Sequence, residues 1–302
     1  MTVGLLPALA LVFNAFVWGT SWWPFRHLQE RGLHPLWATA IIFTLASLAI
    51  VAARPRAVRQ VLTTPALWVL VTAAGVTNAS FNWAVTIGDV VRVVLLFYLM
   101  PLWTVLLARL VLHERLTAAG WLRIALGVAG AVVVLWPEGG GPGSHAAAGG
   151  GLPVPRSLAD WLGVVGGFSF AFNNVILRRE AHRPEEGRAL AMFLGGAVVA
   201  AALAATLTWA GRAPAPPALA SAWVVPLAGL TLLFLSGNLA LQYGAARLPA
   251  NRTSVVMLTE VVFASASAIA LGASVLTPRV ALGGALIVAG ALLAATRPSA
   301  SH

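Results

Sequence analysis

Ten runs of about twenty apolar or small residues follow one another along the chain, each as long as a helix needs to cross ~30 Å of hydrocarbon. They lie near 4–25, 33–53, 65–86, 91–112, 118–136, 157–178, 188–210, 222–245, 251–273 and 279–296. Within each run apolarity is continuous and does not alternate, which argues for helices and against the strands of a membrane barrel. The joints are short and rich in Arg, Pro and Gly, as in RPRAVRQ at 54–60, RREAHRPEEGR at 178–188 and GRAPAPPA at 211–218. One joint is long, EGGGPGSHAAAGGGLPVPR at 138–156, and its Gly, Pro and Ala read as a flexible linker. The pattern predicts an all-α integral membrane protein with ten transmembrane helices. It divides into a first five-helix unit at 1–137, the linker at 138–156 and a second five-helix unit at 157–298. The opening MTVGLLPALALVFNAFVWGTSWW has no basic stretch and no small-residue cleavage site, so it reads as a retained first helix.

Composition agrees with this class. Hydrophobic residues make up 59% of the chain and charged residues 9%, against about 25% charged in soluble domains. The net charge of +10 would point to nucleic acid in a soluble protein. Here all nineteen basic residues are Arg and lie scattered through the joints, so they read as topological markers, with no nucleic-acid partner. With ten spans both termini share a side. That side holds thirteen Arg: 54, 56, 59, 109, 115, 123, 178, 179, 183, 188, 247, 252 and 297. The other holds six, Arg26, Arg31, Arg92, Arg156, Arg212 and Arg279. The excess assigns both termini to the cytoplasm and the linker to the outside. The chain has no Cys, which excludes disulfides and thiol catalysis. Its six His lie in joints or at the tail, and no span holds a metal-ligand cluster or a Gly-x-Ser-x-Gly elbow. No enzyme activity, cofactor or metal is expected.

The chain also repeats itself. PLWTVLLARLVLHERLTAAGWLRIALGVAGAVVVLWP from Pro101 and VVFASASAIALGASVLTPRVALGGALIVAGALLAATRP from Val261 align at a shift of 160. Leu116-Thr117 then falls on Leu276-Thr277, Gly130 on Gly290 and Trp103 on Phe263. Five spans per half is an odd number, so the halves must insert with opposite orientation. Inverted repeats of this kind build secondary transporters around a site near mid-membrane.

Three further stretches carry a resemblance. They are WGTSWWPFR at 18–26, YLMPLWTVLLARLVLHERLT at 98–117 and MLTEVVFASASAIALGASVLT at 257–277. In this order they resemble the drug/metabolite transporter superfamily, EamA type. The first is similar to its Trp-Gly-Ser/Thr-Ser ending of helix 1. The second is similar to its Pro-containing helix 4 and Leu-Gly-Glu-Arg-Leu-Thr turn, with His113 where Gly is usual. In the second copy the usual Glu-Pro is Glu260-Val261, and the usual turn Glu is Ser274. The resemblance covers nearly the whole chain outside the linker, and within the superfamily the chain looks most like the aromatic amino acid exporters. It implies a bacterial inner-membrane exporter of amino acids and related small metabolites, working by alternating access, facilitated or loosely coupled. The implied partners are a small-molecule substrate and membrane lipid.

Polar side chains inside apolar spans are the candidates for substrate binding. Helix 1 carries Asn14, Trp18 and Ser21 on one face. Helix 3 carries Gly75, Asn78 and Asn82, and helix 4 carries Tyr98 and Trp103 about the candidate hinge Pro101. Helix 6 offers Ser169 and Asn173, and helix 8 offers Asn238 and Gln242. Helix 9 lines up Thr253, Met257, Glu260, Ala264 and Ser267, with Val255, Val262 and Ile269 as an apolar opposite face for lipid. Amides and aromatics converging on one cavity would hold a zwitterion and its side chain. The competing role for each Asn and Ser is to join helices by a hydrogen bond worth ~1 kcal/mol. Trp22, Trp23, Trp136 and Trp223 sit at span ends, as interface anchors do. Glu114, beside Arg115, is a candidate gate ion pair. Glu260 has three open roles: a proton carrier, a partner for a substrate ammonium, or a hydrogen-bond cap. Drug cations, nucleotide sugars and carboxylates are the alternative cargoes. Phosphorylated ones are disfavoured, because Arg occurs only near span ends.

Overall fold

The computed structural model describes residues 5–113, 117–136, 152–248 and 250–295, and every regular element among them is a helix. In the first half these are α1 (Leu5–Thr20), α2 (Trp22–Glu30), α3 (Pro35–Ala53), α4 (Arg56–Thr63), α5 (Pro65–Ile87), α6 (Val90–Phe97), α7 (Met100–Leu112) and α8 (Ala118–Leu135). The second half contributes α9 (Leu158–Arg179), α10 (Glu185–Trp209), α11 (Ser221–Ala245), α12 (Ala250–Met257), α13 (Thr259–Ala270) and α14 (Pro278–Ala295). Glu114, Arg115 and most of the linker lie outside the described residues.

Each predicted apolar run is occupied by helix. Six stretches are long and apolar enough to cross a membrane: Leu5–Glu30, Pro35–Ala53, Val90–Val111, Ala118–Leu135, Glu185–Trp209 and Ala222–Ala245. The pair α4 and α5, bent by 99° at the break between them, makes a seventh if counted as one span. The remaining predicted spans fall short for separate reasons. Helix α9 carries Asp160, Asn173 and Asn174, whereas Val255–Ala270 and Pro278–Leu293 are apolar but shorter.

Local chemistry sets the boundaries. Helices α3 and α5 open on Pro, whose missing N–H costs nothing in a first turn. Asp89, Thr117 and Ser157 accept backbone N–H groups at the starts of α6, α8 and α9, and Ser157 with Asp160 forms a capping box. At the end of α7, His113 adopts φ 58°, the left-handed conformation that glycine takes without strain. The departure from the usual Gly at this turn therefore carries a conformational cost.

Several expectations need correction. The stretch at 54–60 is not a plain joint: α4 is amphipathic, with Ala57 and Val61 buried and Arg56 and Arg59 exposed. Predicted helices 1, 4 and 9 are each interrupted, at Ser21, at Tyr98–Leu99 and at Leu258. Trp22 and Trp223 are buried within the bundle, while Trp23 and Trp136 are exposed as anchors should be. Burial follows from the extra helix α2, which carries Trp22 past the end of α1 and back against the packed core.

The two halves interleave. Helix α5 packs on α9 and α10, α10 also on α3, α1 on α11 and α13, α6 and α7 on α9, and α8 on α14. Element bounds recur across the halves. Helices α6 and α12 lie 160 positions apart, as do α8 and α14, and the breaks at Tyr98 and Leu258 share that spacing.

The bundle end that bears the linker is tied across the halves. Trp22 Nε1 donates to Ser267 Oγ at 2.9 Å, and Val91 N donates to Ser274 Oγ at 3.4 Å. Arg92 grips Asp160 with two bonds of 2.7 and 3.1 Å and donates to the Val134 carbonyl at 2.7 Å. Asp160 also accepts from the N–H groups of Arg156 and Ser157. Within the first half, Arg26 donates to the carbonyls of Thr86 and Gly88.

Two stability changes follow. His113→Gly should raise the melting temperature of the detergent-purified protein, by relief of about 1 kcal/mol of left-handed strain. An unchanged or lower melting temperature would contradict the assignment. Arg92→Met should destabilise by ~3 kcal/mol, because it leaves the Asp160 carboxylate, only 5% exposed, without its partner. The double variant Arg92→Met/Asp160→Leu should recover most of that loss. A loss equal to the sum of the two single changes would show the pair to be uncoupled.

Candidate functional site

In hydrocarbon every backbone polar group must find a partner inside the protein. Pro101 cannot supply an N–H to the Phe97 carbonyl one turn earlier, so the helix stops at Phe97 and restarts at Met100. The second break has no proline. There Val261 N turns to the Leu258 carbonyl at 3.1 Å, which leaves the Met257 carbonyl outside the helical ladder.

The two breaks meet. Tyr98, buried between α6 and α7, places its hydroxyl 3.2 Å from Glu260 Oε2 and 3.4 Å from the Met257 carbonyl. One side chain at the first break thus serves both the carboxylate and the freed carbonyl of the second. Glycines allow the backbones to come this close. A Cβ on Gly167 of α9 would run into the Phe97 carbonyl oxygen, and one on Gly19 of α1 would stand 2.7 Å from the Glu260 carbonyl.

Aromatic residues surround the crossing. Trp18, Tyr98 and Trp103 belong to or pack against one apolar cluster that includes Phe97, Val261 and Ala264. The Trp18 ring stacks on Phe234 at 4.5 Å, and Trp103 meets Phe168 edge-on at 5.5 Å. Trp103 Nε1 is buried without a partner. Asn14 donates to the Met257 sulfur at 3.7 Å, while its Oδ1 is buried unpartnered and faces Gly237 of α11.

Other predicted site residues have different surroundings. Asn82 donates to Thr39 Oγ1 at 3.1 Å, joining α5 to α3. Ser169 donates to the Ala73 carbonyl at 2.8 Å, joining α9 to α5. Asn78 donates to the Ala74 carbonyl of its own helix, also at 2.8 Å. Asn173 is buried with its Oδ1 unpartnered. Exposed Gln242 donates to Asn238 Oδ1 at 2.7 Å. Ser267 takes the indole N–H of Trp22. Pro101 is the second residue of α7, next to the first break. Opposite Glu260, Val255, Val262 and Ile269 are exposed, as the apolar face of helix 9 requires.

The sequence reading missed the contribution of the Met257 carbonyl. Its signal was present in the repeat, because Leu258 stands 160 positions after Tyr98. A depression of about 580 Å³ opens elsewhere, at the end of α2 and α5, lined by Arg26, Gln29, Glu30, Thr86, Gly88 and Asp89 among others. It contains none of the predicted site residues, whereas the crossing brings two of them, Tyr98 and Glu260, into hydrogen-bond contact. Chemistry therefore favours the crossing.

The comparisons with known proteins bear on this arrangement. No curated protein matches the chain. A solved protein crystal structure shares the fold, with a TM-score of 0.57 at 21% identity, covering 95% of this chain and 96% of the other. Residues 5–136, which span α1 to α8, match the EamA-like transporter family, and that match points to transport across a membrane.

Proposed function

We propose that the protein is a secondary carrier that exports amino acids, aromatic and other neutral ones, together with related small metabolites by alternating access. Ten spans form two five-helix halves of opposite orientation, at 1–137 and 157–298. The membrane is the bacterial inner membrane, with both termini in the cytoplasm. The observation that carries this reading is the meeting of two interrupted helices at Tyr98 and Glu260. Discontinuous helices of inverted repeats are where secondary transporters form their sites. The transporter family match over 5–136 and the recurrence of α6 and α8 as α12 and α14 support the same reading.

In this account Glu260 and Tyr98 meet the polar head of the substrate, and Trp18 and Trp103 meet its side chain. Asn14, Asn173 and Trp103 Nε1 hold unpartnered polar atoms that turn to the substrate when the halves part. Asn82 holds α5 to α3 within the first half, and Ser169 holds α9 of the second half to α5 of the first. Release on the linker side requires the ties Trp22–Ser267, Val91–Ser274 and Arg92–Asp160 to open. A second reading, efflux of organic cations, is favoured by one observation: Glu260 meets the Tyr98 hydroxyl, and among the described residues it forms no ion pair.

Uptake of labelled phenylalanine into protein-containing liposomes tests the proposal. We expect saturable uptake several-fold above empty vesicles, inhibited by unlabelled neutral amino acids. Equal uptake in both vesicles would refute it, and inhibition by lipophilic cations alone would favour the second reading.

A further inference from the structure

Helix α4 meets α5 at 99°, so the two cannot both run across a bilayer. Helix α5 is the one that does. Its 23 residues rise about 34 Å, and it packs along α9 and α10. Just past its last residue, Gly88 lies against Ala159, which follows the linker. Helix α4 therefore lies across the opposite end of the bundle, in the plane of the membrane surface.

One face of α4 is occupied by protein. Ala57 and Val61 are buried in an apolar cluster with Leu67 of α5, Ile176 of α9 and Leu190 of α10. Gln60 donates to Glu186 Oε1 at 3.0 Å, which ties α4 to the first turn of α10. The helix is thus seated on both halves. Its other face is a row of exposed residues three and four positions apart, Arg56, Arg59 and Thr63, with exposed Arg54 just ahead of it. Two apolar groups border that row. Leu62 is 65% exposed, and Trp68, in the first turn of α5, is 43% exposed. Arginine beside exposed leucine on an in-plane helix suits the boundary between acyl chains and headgroups. Tryptophan at a span end suits the same depth.

Charge identifies what meets the arginines. Segments 54–60 and 178–188, which flank the shared cluster, hold seven Arg and three Glu. Glu180 is taken by Arg179 and Arg183, and Glu186 by Gln60. Among the described residues no ion pair engages Arg54, Arg56 or Arg59. A guanidinium fork can give a phosphate two parallel hydrogen bonds, which an ammonium cannot. We infer that α4 is a lipid-binding helix: Arg54, Arg56 and Arg59 hold the headgroup phosphates of anionic phospholipids, while Leu62 and Trp68 enter the acyl boundary beneath them. The inference requires only that the chain spans a membrane, and it holds for any cargo.

Native mass spectrometry of the purified full-length protein, titrated with phosphatidylglycerol or phosphatidylcholine, tests it. Wild type should bind phosphatidylglycerol at least about tenfold more tightly than phosphatidylcholine. The variant Arg54→Gln/Arg56→Gln/Arg59→Gln should lose that preference and keep its phosphatidylcholine binding. Its replaced side chains are exposed, so it should melt with wild type in phosphatidylcholine alone. Arg56→Gln and Arg59→Gln, made singly, should each weaken phosphatidylglycerol binding a few-fold. Arg247→Gln, which removes an exposed arginine stacked on Tyr243, should not. Soluble glycerol phosphate should fail to displace the lipid. Equal binding of the two lipids by wild type, or a preference that survives in the triple variant, would overturn the inference. So would an Arg247→Gln loss as large as that of Arg56→Gln, which would mean diffuse charge, or displacement by glycerol phosphate, which would mean a soluble ligand. The assay reads lipid alone, so its outcome is separate from the vesicle uptake that decides the carrier reading.

Discussion

A helix inside hydrocarbon can be interrupted only where the released carbonyls find other partners. Here one freed carbonyl takes a donor and the other lies in close contact with a glycine. The Phe97 carbonyl, denied a donor by Pro101, rests against Gly167, and the Met257 carbonyl takes the hydroxyl of Tyr98. Because Tyr98 is itself the residue at the first break, the two interruptions stabilise one another. The surrounding arrangement follows from this contact. Gly19 and Gly167 must stay small, α1 and α9 must lie close to the broken helices, and Glu260 is held at the seam between the halves.

The polar groups divide by what they do for the bundle. Asn82–Thr39 and Ser169–Ala73 join long helices that run unbroken through the core. Such bonds are modest, about 1 kcal/mol each, but they fix rotation about the helix axis. The Arg92–Asp160 pair is different. It is charge-assisted and bidentate, it caps α9, and it draws on the Val134 carbonyl at the end of α8. In the carrier reading, the ties at the linker end belong between the moving bodies.

Much of this architecture was legible in the sequence, because continuous apolarity over twenty residues has few other meanings. What escaped notice did so for physical reasons. Helix α4 is eight residues long and bears two Arg, too short and too charged to stand out from a joint. The break at Leu258 has Val261 where a proline would have marked it, so only the spacing of the repeat pointed there. Trp22 looked like an interface anchor from its place at a span end, and its burial depends on the direction α2 takes after Ser21. Asn82 and Glu260 were equally good candidates, since periodicity assigns a face and does not reveal which neighbour that face meets. His113 is the opposite case. The odd residue was visible at once, and its φ of 58° supplied the reason that Gly is usual there.

In the carrier reading the linker end opens to release substrate held at the crossing of Tyr98 and Glu260. Val91 N and Ser274 Oγ stand 3.4 Å apart across that end, and the natural chain has no cysteine to interfere. The direct measurement is phenylalanine flux through the Val91→Cys/Ser274→Cys protein in liposomes, oxidised and then reduced. The account predicts that the disulfide stops flux and that reduction restores it. Flux at an unchanged rate through fully cross-linked protein would contradict it.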